Sequence, residues 1–297
     1  MVLRVGRDEL LERAEAARVI LEECCLCGHG CRARRLDAEK GLCGAGERAI
    51  VSDYGPHFGE ESVLVGTRGS GTVFFSYCNL SCVFCQNWEI SALGRGRPVS
   101  PAELANMMLD LQDTGCHNVN LVSPTHYVPQ ILKALADAVA RGLDVPIVYN
   151  TGGYDSVETL KLLDGVVDIY MPDMKFSDDA TARRYTGAPD YVSVNRQAVK
   201  EMHRQVGDLV VDERGVAIRG LIVRHLVLPN GLAGTKEVMA FLAREISPRT
   251  YVNIMDQYYP AHHARRYPEL DRRITGAEYR EALAVAREVG PEFRFAE

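Results

Sequence analysis

The sequence contains no run of eighteen apolar residues, so nothing in it reads as a membrane-spanning helix. The best candidates, 63–65 and 221–228, are short or interrupted, the second by Arg224 and His225. Positive charge is also scarce. Lys and Arg number 34 against 40 Asp and Glu, a net −6 at pH 7, whereas a protein that grips nucleic-acid phosphates needs a basic footprint. The local basic clusters at 32–35 and 262–266 read as solvated faces. The opening residues Met1-Val2-Leu3-Arg4 lead straight into charged sequence without the apolar centre of a secretory signal. A cytoplasmic protein without membrane or nucleic-acid partners is therefore expected. Disorder and fibrous repeats are excluded by 46% hydrophobic and 25% charged residues, ordinary values for a globular chain. The 297 residues suit two domains, or one large α/β barrel with an appendage.

Nine cysteines are too few for a disulfide scaffold at this length, and a cytoplasmic address would keep them reduced. Five fall between Cys24 and Cys43, three between Cys78 and Cys85, and Cys116 stands apart. Clusters of this kind in a reducing compartment point to metal or redox chemistry. The middle group reads Cys78-Asn79-Leu80-Ser81-Cys82-Val83-Phe84-Cys85, directly after the strand-like run 72–76. Three thiolates on one loop can each take one iron of a [4Fe–4S] cube and leave the fourth iron open to a substrate or cofactor. A structural zinc would want a fourth Cys or His nearby, and Gln86, Asn87 and Trp88 supply none.

The earlier group, Cys24, Cys27, Cys31 and Cys43, can close four coordination positions, with intervening glycines that let the loop wrap. It suits either a structural zinc or a second, fully ligated iron–sulfur cluster, with Cys25 as a spare.

The surrounding pattern is that of an α/β protein. Strand-like runs recur at 72–76, 118–122, 146–150, 166–171, 220–228 and 250–255, without the strict alternation of a half-exposed sheet. Helical signals lie between them: Ser100-Pro101-Ala102-Glu103 and Thr275…Glu278 read as capping boxes, as does Asp155…Glu158, and 128–141 and 236–245 have helical spacing. Strand followed by helix, repeated, predicts a parallel sheet.

The cysteine loop, with Phe84 just before its last cysteine, resembles the signature of the radical S-adenosylmethionine (SAM) enzymes. The whole chain is similar to homologues of pyruvate formate-lyase activating enzyme, on the stretches 69–76, 120–126, 149–154, 168–175, 224–229 and 253–258. The resemblance implies a partial (β/α)6 TIM-like barrel over 69–297, preceded by a cysteine-rich extension over 1–68. It implies that Cys78, Cys82 and Cys85 hold a [4Fe–4S] cluster whose open iron binds SAM. An electron from a donor such as flavodoxin or ferredoxin then splits SAM, giving a 5′-deoxyadenosyl radical that abstracts hydrogen. Phe84, Asn87, Ser123, Thr125, Asn150, Asp173 and Lys175 are the expected cofactor contacts; no catalytic residue beyond these is assigned.

Where the activating enzymes carry a Gly-Gly-Glu type motif, this chain reads Ser123-Pro124-Thr125-His126, with no carboxylate. Activation of a glycyl radical enzyme, modification of a small molecule or peptide (with a different SAM bond broken), and a non-catalytic metal-holding role all remain open on the sequence. His126 is read as structural, Cys116 as core, and the Gly66–Gly71 segment as a turn.

Overall fold

The computed structural model describes residues 5–296, so the reading of Met1–Arg4 lies outside it. In chain order the first elements are α1 (Arg7–Val19), β1 (Ala49–His57), α2 (Ser62–Val65), β2 (Ser70–Phe75), α3 (Trp88–Ser91), β3 (Arg97–Val99), α4 (Pro101–Asp113), β4 (Val119–Val122), α5 (Val128–Ala140) and β5 (Ile147–Thr151). There follow α6 (Val157–Lys161), β6 (Ile169–Pro172), α7 (Asp179–Thr186), α8 (Tyr191–Val206), β7 (Val210–Val211), β8 (Ala217–Leu226), α9 (Thr235–Phe241), β9 (Tyr251–Met255), α10 (Gly276–Val289) and β10 (Arg294–Phe295).

The six strands expected from the sequence are β2, β4, β5, β6, β8 and β9. They lie side by side in that order, every pairing parallel. The result is an α/β fold with an incomplete barrel. Its sheet runs from β3 and β1, antiparallel at one edge, to β10 at the other, and does not close. The edge strands escaped the sequence reading because they carry breakers: Gly55-Pro56 in β1 and Pro98 in β3. Proline is tolerated at a sheet edge, where its missing N–H is not needed.

Alternation along each strand divides the core in two. Val73, Leu121, Tyr149, Tyr170, Val223 and Val252 point outwards into the main core beneath the helices. Val148, Ile169, Met171, Ile222 and Tyr251 point inwards and, with Leu64 of α2, plug the bottom of the barrel. Each such side chain contributes roughly 1.5–3 kcal/mol by leaving water. α1 lies against α5, and Arg13 Nη1 donates to the carbonyls of Leu162 (3.1 Å) and Asp164 (2.6 Å).

The boxes at Ser100 and Thr275 form as expected, each closed by the glutamate three residues on. The third differs. α6 starts after Ser156 without a side-chain cap, and Asp155 is fully buried instead. Its carboxylate accepts from Thr125 Oγ1 (2.7 Å), Thr151 Oγ1 (2.7 Å) and Tyr149 OH (2.8 Å). Three hydroxyls satisfy a buried carboxylate better than the single backbone donor a cap offers. The helix expected at 236–245 is α9 followed by a π-helical turn, Leu242–Ile246.

Candidate active site

The cysteine loop leaves the carboxyl end of β2. Tyr77 adopts φ +68°, which swings the chain out of the sheet. The loop is then pinned by backbone bonds to α7, Ser81 N–H to Thr186 O and Val83 N–H to Tyr185 O, both 2.9 Å. Asn79 Nδ2 donates to Tyr154 O at 2.8 Å. Phe84 is buried, edge-on to Phe176 and Tyr258. Within the loop, Cys85 N–H donates to Cys82 O (3.1 Å) and Leu80 N–H to Cys78 Sγ (3.4 Å). Burial pushes the Cys78 thiol up to about 11 and the Cys82 thiol higher still, so ionising them calls for a bound cation. Among the described residues no three His, Cys, Asp or Glu side chains converge on a single metal ion. Three soft sulfurs on one tethered loop fit a cluster that gives each thiolate its own iron.

Facing the loop is a row of polar side chains on the inner face of the barrel. Asp173 bridges to Arg224 across the ends of β6 and β8, and Arg224 pairs with Asn253 of β9. Arg224 Nε donates to Asp173 Oδ1 (2.9 Å), its Nη2 to Asn150 Oδ1 (2.7 Å), and its Nη1 lies 3.8 Å from Glu60 Oε2. Lys175 Nζ meets the other oxygen, Asp173 Oδ2, at 2.5 Å. Burial opposes the charge on Asp173, but Arg224 and Lys175 outweigh it and hold the carboxyl below its ordinary range. Burial likewise opposes the charge on Lys175, which Asp173 restores and raises. Glu61 is held by Asn253 Nδ2 at 2.9 Å to both oxygens, while burial pushes its carboxyl up. The cavity between loop and row has a volume of about 750 Å³, within the range of small-molecule sites.

Of the residues singled out in the sequence, Cys82, Cys85, Phe84, Asn87, Asn150, Asp173 and Lys175 line this cavity together. Cys78 sits on the same loop, its thiol within hydrogen-bonding range of Asn79. Ser123 and Thr125 are not in the lining. Ser123 turns the chain with φ +56° and donates its N–H to Asn150 O (2.8 Å), and Thr125 is turned to Asp155. His126 is buried with Nε2 3.0 Å from Ser76 O, a structural histidine as expected. Gly153 has φ +76°, and a methyl there would lie 2.4 Å from Asp173 O, so glycine is required where β5 gives way to the site.

The residues the sequence reading missed are Glu60, Glu61, Arg224 and Asn253. Arg224 had a signal: it shares the inward parity of Ile222 and Leu226, and an arginine buried in a strand needs partners. Glu60 and Glu61 come from the turn after an edge strand, where no periodicity marks them. The N-terminal cysteines also lie together. A methyl at Gly41 would be 3.2 Å from Cys43 Sγ and 3.5 Å from Cys31 Sγ, Cys31 Sγ is 4.0 Å from Cys24 O, and Cys27 lies near enough to Cys43 and Cys24 to interact with them electrostatically.

The radical SAM superfamily is matched over residues 72–213. An uncharacterized protein of Methanocaldococcus jannaschii is 34% identical, over 96% of this chain and 80% of that one. Among solved structures, Streptococcus suis SuiB bound to S-adenosylmethionine superposes with a TM-score of 0.51 at 15% identity, over 74% of this chain and 48% of SuiB. A radical SAM methyltransferase from Sphaerobacter thermophilus gives a TM-score of 0.49 at 14% identity, over 75% of this chain and 65% of that one. This chain thus spans about half of SuiB and under two thirds of the methyltransferase. At such identities the structural likeness speaks to fold alone.

Proposed function

This chain belongs to the radical SAM superfamily, and from that we infer that its cavity cleaves SAM reductively and directs hydrogen abstraction at a polypeptide segment laid along the open seam of the barrel. The observation that carries the reading is that Cys82 and Cys85 share one cavity with Asn150, Asp173, Lys175 and Arg224. A [4Fe–4S] cluster held there, with SAM on its open iron, would supply the one electron that splits a carbon–sulfur bond into methionine and a 5′-deoxyadenosyl radical. The protein's part is binding, orientation and exclusion of water.

Cys78, Cys82 and Cys85 would hold three irons. Lys175 and Arg224 offer cations to the carboxylate of SAM, and Asp173, Glu60 and Glu61 offer acceptors to its amino and hydroxyl groups. No Gly-Gly-Glu carboxylate is needed after β4 if these acidic groups serve the amino end. Phe84 closes one wall of the cavity with an apolar face.

The polypeptide reading rests on the seam. The cavity is lined at once by His57, the last residue of β1, with Gly59 just after it, and by Ile254 of β9 with Phe295 and Ala296 at the opposite edge. A gap between two sheet edges admits an extended segment, and the glycine loop of a glycyl radical enzyme is one such segment. A one-electron donor of the flavodoxin or ferredoxin class would reduce the cluster.

The test is to incubate anaerobically reconstituted protein with dithionite and SAM and measure 5′-deoxyadenosine. Formation that disappears in Cys82→Ala supports the reading; none in the native chain overturns it. Adding a glycyl radical enzyme encoded beside this chain should then produce a glycyl radical signal, and its absence would redirect the search to other peptides.

A further inference from the structure

We propose that Cys24, Cys27, Cys31 and Cys43 hold a second iron–sulfur cluster, fully ligated by thiolates, which stands directly behind the Cys78 loop and relays single electrons to it. The acceptor end of the relay rests on the function proposed above; the cluster itself does not.

The first ground is charge. Arg35 is completely buried. Its Nε and Nη2 both donate to Gly46 O (3.1 and 2.6 Å), and its Nη1 points to Cys24 Sγ at 3.7 Å. Among the described residues no carboxylate lies within ion-pair distance of it. A guanidinium keeps its proton in proteins, and a buried cation without a counter-charge is strongly unfavourable. Cys24 as a neutral thiol does not answer that charge. A centre carrying four thiolates is net negative and does.

The second ground is the shape of the loop. It folds back on itself, with Arg32 N–H donating to Cys24 O (2.9 Å) and Cys24 N–H to Ala33 O (3.1 Å). Left-handed turns at Gly30 (φ +47°), Arg32 (φ +53°) and Gly44 (φ +87°) curl it around its sulfurs. No three of these side chains converge on one ion among the described residues. A zinc tetrahedron, with every sulfur about 2.3 Å from one atom, would require that convergence. A cube that takes one thiolate per iron does not, and the Cys78, Cys82 and Cys85 set shares the property.

The third ground is position. The loop is docked by two contacts on the other cysteine loop and by two on the segment that follows β5. A methyl at Gly44, the neighbour of Cys43, would lie 2.6 Å from the ring of Tyr77, the neighbour of Cys78. His29 Nε2 is 2.8 Å from Asn79 O, Gly28 N–H donates to Tyr154 O (3.2 Å), and Cys27 forms a bridge with Asp155. Zinc has no redox chemistry, whereas an iron–sulfur cluster in this position can pass single electrons to its neighbour. In the step itself, an external low-potential donor of the flavodoxin or ferredoxin class reduces the N-terminal cluster by one electron. That cluster then returns to its oxidised state as the Cys78-loop cluster gains the electron. No bond or proton changes hands.

The test uses the full-length chain with Cys78, Cys82 and Cys85 all changed to Ala, reconstituted anaerobically with iron and sulfide. About four irons and four sulfides per chain are expected, with a dithionite-reduced EPR signal that SAM does not move. A folded variant that holds no iron, or one zinc, overturns the proposal. Native protein provides a check independent of any variant's folding: about eight irons are expected, and about four would overturn it. The pair Cys31→Ser and Cys43→Ser should retain the SAM-responsive signal, while its reduction by flavodoxin slows at least tenfold. An unchanged rate would reject the relay. If the native chain binds iron at both sites yet fails to respond to SAM, the proposed function fails and the second cluster stands.

Discussion

Arg224 reaches across from β8 to join Asp173 and Asn150, its Nε 2.9 Å from Asp173 Oδ1 and its Nη2 2.7 Å from Asn150 Oδ1. One guanidinium thus fixes two side chains at the ends of neighbouring strands, and Lys175 holds the second oxygen of the same aspartate. Changing Arg224 to Met leaves Asp173 buried with one cation instead of two. Breaking a buried pair in this way costs about 3–5 kcal/mol. SAM affinity should fall by at least about tenfold, a loss of ~1.4 kcal/mol, while the iron content stays as in the native chain. Equilibrium dialysis with labelled SAM checks it, and native affinity in Arg224→Met would remove this residue from the site.

Cys82→Ala should forfeit about four irons per chain together with all SAM-dependent chemistry. Iron and sulfide assays on anaerobically prepared protein are the measurement. Full iron retention would mean that the loop does not carry the cluster.

Gly153 and Gly187 have nearly the same φ, +76° and +75°, in different surroundings. A methyl at Gly153 would meet Asn195 Nδ2 at 2.2 Å and Asp173 O at 2.4 Å, whereas one at Gly187 meets nothing within 4 Å. Gly187→Ala should therefore cost only backbone strain, about 1 kcal/mol. Gly153→Ala should cost clearly more, lower the melting temperature further and disturb SAM binding, because the clash falls on the chain carrying Asp173. Equal melting temperatures for the two variants would show that the turn relaxes freely.

Two buried histidines set an acid limit. Burial pulls His126 down to about 3 and His225 down to about 4, and both are engaged with backbone carbonyls. Their unfolded counterparts titrate near 6.5. Below that pH the unfolded chain takes up protons the folded chain refuses. Their contribution is therefore fully present above pH 6.5 and is lost as pH falls towards 4 and then 3. Urea unfolding at pH 5 should show a loss on the order of 1–2 kcal/mol per histidine relative to pH 7. The pair His126→Gln and His225→Gln should flatten the profile between those pH values. A profile as steep as the native one would assign the acid sensitivity to carboxylates instead.

The cluster loop was legible in the sequence because ligand spacing is a local property: Cys78, Cys82 and Cys85 must sit on one turn. The six parallel strands were legible because burial on both faces leaves continuous apolar runs. Asp173 and Lys175 were reached through the family resemblance, which places both among the expected cofactor contacts. Arg224 was not legible, since its partners come from β5, β6 and the turn after β1, and only the sheet order brings them together. Asp155 looked like a helix cap because its local sequence fits one, yet hydroxyls from Thr125, Tyr149 and Thr151 draw it into the interior. Its burial also explains why Thr125, expected at the cofactor, faces elsewhere.

The EPR spectrum of the dithionite-reduced native protein, recorded with and without SAM, is the most direct test. Coordination of SAM to an open iron held by Cys78, Cys82 and Cys85 predicts that one cluster signal changes shape when SAM is added, and that the change is absent in Cys82→Ala. Spectra that superimpose with and without SAM would contradict it.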